Sequence, residues 1–104
     1  MTKRRSSGNV FRDLGFREPE ARNLALRSEI MIRIEEFVER SGMTQARAAA
    51  RLGLTQPRLN ALLKGKIDQF SLDALVNAAA RAGLQVDLLV TVPKRMSARA
   101  IANA

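Results

Sequence analysis

Between Thr44 and Lys66 the chain reads TQARAAARLGLTQPRLNALLKGK, and its polar groups are spaced to recognise a polyanion rather than to catalyse. Gln56 and Asn60 lie four residues apart, so on a helix they share one face. Each amide can pair bidentately with an adenine edge in a major groove. Arg58 and Lys64 suit phosphates or a guanine beside them. Arg47 and Arg51 fall on an earlier segment, together with the hydroxyl of Thr44, where they would position a duplex by its backbone without reading sequence. Pro57 offers only an apolar ring, fit for a thymine methyl or for no contact. Taken singly these are ordinary solvated side chains. Their significance rests on the two-helix unit that carries them.

Other chemistries lack their residues. The chain has no Cys and no His, which removes disulfides, thiolate nucleophiles, imidazole acid–base catalysis and nearly every transition-metal site. Glu35 and Glu39 share a helix face, but they read as solvent-exposed charges, and neither a Gly-rich phosphate loop nor metal-ligand spacing accompanies them. No catalytic residue, metal ligand or cofactor is expected. RNA recognition is disfavoured, since four scattered Phe and no Trp or Tyr make no stacking platform.

The elements that position these groups follow from size and punctuation. The 104 residues fit one small domain, with 46% hydrophobic residues that are mostly aliphatic, a composition favouring helices. The formal charge is +8 and the pI near 11.5. Residues 42–70 hold five cations against Asp68 alone, the densest one-sided charge outside the ends. Gly42, Gly53, Gly65 and Gly83 each follow a run of helix formers, which predicts four helices.

The first helix is read from Pro19 to Ser41. Leu24, Ile30, Ile34, Phe37 and Val38 recur at helical spacing, and Glu18/Arg22, Glu29/Arg33 and Glu36/Arg40 are Glu-before-Arg pairs four apart. Ser28 offers an alternative cap, leaving open a break near Arg27. Thr44 caps the second helix, Thr55 the third and Ser71 the fourth. Pro57 is accommodated in a first turn, where N–H groups have no intrahelical partner to lose. Ala49 is small where two helices cross, and Gly53 supplies the positive φ of a tight turn. With Leu52, Leu54, Leu59 and Leu62 packed between them, the second and third helices form a helix-turn-helix. Its outward side carries Thr55, Gln56, Pro57, Asn60, Ala61 and Lys64.

After Gly83 the period changes to two. Leu84, Val86, Leu88, Val90 and Val92 alternate along a predicted strand that Pro93 closes. A lone strand leaves its backbone groups unpaired, so pairing with the same strand of a second copy is expected. The alternative partner is the GNVFRDL segment near the N-terminus. The domain organisation expected is a flexible basic arm at 1–17, a helical unit at 18–83, a dimerisation strand at 84–92 and a flexible tail at 93–104.

The segment 44–66 resembles the Xre, or lambda-repressor-like, DNA-binding family, with Gln45 opening its first helix and Gln56 opening the recognition helix. NVFRDLGF, EARNLALRSEIMIRI, the central core through SLDALV and the AGLQVDLLV ending extend the resemblance over residues 9–92, toward the HigA-like antitoxin branch. The resemblance implies a mainly α, five-helix-type DNA-binding core, dimerisation, and binding to an inverted-repeat operator. For the antitoxin branch it also implies neutralisation of a RelE-like RNase toxin encoded alongside. A stand-alone repressor without a toxin partner is the alternative. Two surfaces bear on that choice: the acidic Glu35, Glu36 and Glu39, and the apolar Val10, Phe11, Leu14 and Phe16. No signal sequence or membrane-span pattern is read, so a cytoplasmic, nucleoid-associated protein is expected.

Overall fold

A computed structural model of the chain describes residues 10–15 and 17–93. Among these, five α-helices and one 3-10 turn follow in order: α1 (Val10–Asp13), α2 (Glu18–Ser41), α3 (Gln45–Leu52), α4 (Gln56–Leu63), the 3-10 turn (Ile67–Gln69) and α5 (Leu72–Arg81). The long α2 is the spine, about 36 Å at 1.5 Å per residue. It runs unbroken through Arg27, so Ser28 does not cap a new helix. Glu18–Arg22 and Glu29–Arg33 pair at 2.9 and 3.2 Å on its exposed side. Glu36 meets Arg33 at 3.2 Å rather than Arg40, so one guanidinium serves two carboxylates.

Packing follows from the short helices' inability to stand alone. α5 and α4 lie against α2, while α3 packs on α4 and α5. The core is aliphatic with one aromatic ring: Ile34, Leu52, Leu59, Leu75 and Phe70 are its largest fully enclosed side chains. Ala48, Ala49, Ala78 and Ala79 are buried where α3 and α5 need close approach. Ile30, Phe37 and Val38 pack at the margin of this core. No polar or charged residue is buried among the described residues, so the interior is held by apolar contact alone.

Two regions differ from expectation. Val10–Asp13 is a helix packed on α2, within the segment expected as a flexible arm. Residues 84–92 contain no strand: Leu84, Val86, Leu88, Val90 and Val92 run without ladder partners. A strand exists only by its hydrogen bonds to another, and the GNVFRDL alternative fails because residues 10–13 are helical. The period-2 pattern is therefore not realised as a strand among the described residues. The tail 94–104 and residues 1–9 and 16 lie outside the described residues.

Candidate nucleic-acid interface

Local chemistry fixes the central two-helix unit at both starts and at its turn. Thr44 Oγ1 accepts from the Arg47 N–H at 3.2 Å, and Thr55 Oγ1 accepts from the Arg58 N–H at 3.2 Å. Each hydroxyl satisfies a first-turn donor that the helix itself cannot. Gly53 ends α3 at φ +73°, and the Leu54 N–H returns to the Ala49 carbonyl at 2.8 Å. That closure, with half-buried Leu54 folded onto the core, is a Schellman ending. A Cβ at Gly53 would also collide with the Arg81 side chain, which reaches from α5 across the turn.

Burial sorts α4 into two faces. Leu59 and Leu62 are enclosed, while Gln56, Pro57 and Asn60 are exposed, and Lys64 is exposed at its C-terminal cap. Thr55, Thr44, Gln45 and Arg47 are exposed too. Ala61 departs from the predicted outward set: it is half-buried against the core. Arg51 is exposed, with its guanidinium 5.9 Å from the Phe37 ring centroid.

Arg58 is held differently from its neighbours. It is half-buried, its guanidinium lies 4.3 Å from the Phe70 ring centroid, and Nη1 donates to the Gln69 carbonyl at 2.9 Å. From the other side, Arg27 Nη1 donates to the carbonyls of Phe70 at 3.0 Å and Ile67 at 3.3 Å, with Nε held by Asn23 Oδ1 at 2.7 Å. Two arginines thus grip the 3-10 turn that follows α4. Sequence reasoning missed Arg27, Phe70 and this turn. No local spacing links position 27 to position 70.

The predicted dimerisation residues grade outward. Leu84 is half-buried against the core, Val86 is 38% exposed, and Leu88, Val90 and Val92 are 67%, 78% and 70% exposed. Of the two other surfaces, Glu35 and Glu36 are half-buried and Glu39 exposed. Val10 and Leu14 are exposed, Phe11 lines a small pocket with Met31 and Leu62, and Phe16 lies outside the described residues. Among the described residues no group of three carboxylates could hold a metal, and no helix is long and apolar enough to cross a membrane.

Residues 10–91 match the model of a family described as a helix-turn-helix domain. A solved structure described as a candidate XRE-family transcriptional regulator is 28% identical, with a TM-score of 0.68. That match covers 77% of this chain and 90% of the other. No curated protein matches the chain.

Proposed function

The chain belongs to the helix-turn-helix domain family, and on that premise we propose that it is a sequence-specific DNA-binding transcriptional regulator. The observation that carries this reading is the division of α4. Its buried Leu59 and Leu62 lock it to the core, while exposed Gln56, Pro57 and Asn60 form one presentable face bounded by Lys64. The helix enters a major groove with Gln56 and Asn60 at base edges. Thr44, Gln45, Thr55, Arg47 and Lys64 hold the flanking phosphates. Arg58 contributes charge from its seat on Phe70, at the rear of the face.

Affinity is supplied by two copies joined through residues 84–92, which sets two recognition helices about one DNA turn, ~34 Å, apart on an inverted repeat. The exposed valines and leucine of that segment support this reading. Selection of bound duplexes from a random library tests it. The expected result is an enriched two-fold-symmetric site whose enrichment disappears with Gln56→Ala; uniform retention of all sequences would overturn it.

At a finer level the chain acts as the antitoxin of a type II toxin–antitoxin pair, repressing its own operon and neutralising a RelE-like RNase. Exposed Val10 and Leu14 and the carboxylates at 35, 36 and 39 support that reading by offering an apolar and an acidic surface to a basic partner. The XRE-type relative fits equally a stand-alone repressor. Co-expression with the product of the adjacent gene separates the two: a stable complex supports the antitoxin, and its absence leaves the repressor.

A further inference from the structure

An apolar groove of about 420 Å³ runs between α2, α5 and the chain leaving α5. Leu26, Ile30, Leu72, Val76, Leu84 and Val86 line it. The chain after Gly83 covers only one side. Leu84 is anchored by its N–H to the Ala79 carbonyl at 2.9 Å, Val86 and Leu88 line the groove's edge, and Val90 and Val92 beyond them are 78% and 70% exposed. The groove therefore has apolar walls and half a cover, and the same chain continues with more residues of the missing kind.

We propose that a second copy completes the cover in one defined register: antiparallel, with Leu88 beside its own counterpart. This rests on the dimeric reading above and specifies how the two copies meet. In that register Val90 and Val92 of each copy lie beside Val86 and Leu84 of the other, directly over the groove that the first copy leaves open. The pattern selects it. Side chains alternate across a strand, so only registers that oppose even with even residues keep the five alternating apolar groups on the core side. Centring on Leu88 gives each of the five alternating residues Leu84, Val86, Leu88, Val90 and Val92 an apolar neighbour, while Leu89, 85% exposed, falls on the opposite face beside Asp87. Centring on Asp87 leaves Val92 over and sets two carboxylates against each other, which is unfavourable for directly opposed residues. Centring on Leu89 opposes the two Leu89 side chains on the solvent face but leaves Leu84, the residue seated at the core, without an apolar neighbour. Pro93, which has no N–H to give, ends the ladder where the register requires it.

The absence of cysteine from the chain gives a clean background for single-cysteine cross-linking. Directly opposed residues lie about 4.5–5.5 Å apart at Cα, within disulfide reach. Residues four places apart along the strand lie about 13 Å away, which is not. Under mild oxidation Leu88→Cys should cross-link with itself, whereas Val86→Cys and Val90→Cys should cross-link efficiently only when mixed. Val76→Glu should raise the dimer dissociation constant at least tenfold with helical circular dichroism unchanged; Leu26→Glu, at an exposed wall position, repeats the test if Val76→Glu fails to fold. Sedimentation of the unmodified chain separates the failures. A monomer at micromolar concentration overturns both the register and the dimeric reading. A dimer with no preference for the mixed 86/90 pair overturns the register alone. A dimer indifferent to both groove substitutions overturns the groove as its seat. None of these readouts requires DNA, so each leaves the recognition helix to its own test.

Discussion

The guanidinium of Arg58 stacks 4.3 Å from the centroid of the Phe70 ring and donates to the carbonyl of Gln69, joining the recognition helix to the turn that follows it. Phe70 is 2% exposed, so the ring is fixed by the core, and Arg58 inherits that fixity. The contact ties α4 to the segment that follows the 3-10 turn. Sequence spacing assigns Arg58 to phosphates or a guanine, and the fold gives it a second task. A planar cation on an aromatic face serves as part of the scaffold while still carrying its charge.

Arg58→Ala should therefore lower stability by about 1–2 kcal/mol, the range of a partly desolvated cation–π contact, as well as weakening DNA. Arg58→Lys keeps the charge but loses the planar stack and the forked donor. If Arg58 acts mainly as scaffold, the Lys variant should resemble Ala in urea unfolding. Full stability in both variants would return Arg58 to the simple role of a DNA contact.

Arg27 grips the same turn from α2, forty or more residues earlier in the chain. Replacing it with Ala leaves two backbone carbonyls to water and loosens the chain between Lys66 and Phe70. Hydrogen exchange should accelerate selectively across residues 66–70, with α3 protected as before. Exchange that rises uniformly instead would mean that Arg27 serves the whole core.

Gln56 and Arg47 should behave oppositely on DNA. A base-reading amide is worth about 1–3 kcal/mol at its position and little on random sequence. A phosphate-binding cation weakens all duplexes alike and reduces the salt slope by about one unit. Titrations of Gln56→Ala and Arg47→Ala against cognate and random duplexes at several salt concentrations measure both. Equal losses on the two duplexes for both variants would remove the distinction between reading and positioning.

Gly53 combines two constraints in one residue. Its φ of +73° costs a side-chain-bearing residue about 1–2 kcal/mol, and a Cβ there meets Arg81. Gly53→Ala should destabilise by at least that amount. Because the colliding atoms belong to the flexible Arg81 side chain, adding Arg81→Ala should recover only the collision and leave the backbone strain. A double-mutant cycle by thermal unfolding gives the partition, and complete recovery in the double variant would show that φ is not limiting.

What was legible in the sequence was local. Thr44, Thr55 and Ser71 each accept the hydrogen bond their position announces, because capping depends only on the next three residues. Leu52, Leu59 and Leu62 are buried as their spacing requires. What escaped was long-range or conditional. The Arg27 grip spans more than forty residues and leaves no periodic trace. The predicted strand is not formed, because alternation alone makes no ladder and residues 84–92 meet no partner strand among the described residues. Ala61 was placed outward by counting along α4, yet it packs at the core's edge, because a small side chain lets neighbouring elements close over it.

Thr55 tests whether capping and recognition can be separated. Its hydroxyl holds the first turn of α4, and its exposure leaves it open to the duplex in the proposed complex. Loss of an N-cap hydroxyl costs about 1 kcal/mol, so Thr55→Ala should lower the midpoint of unfolding and fray the turn that carries Gln56. Thr55→Ser keeps the cap and removes only a methyl group. Stability should therefore be restored in the Ser variant, and with it the preference for the cognate site. If Ser restores stability but not site preference, the methyl itself is read against DNA, and Thr55 belongs with Gln56 and Asn60 rather than with the residues that position them.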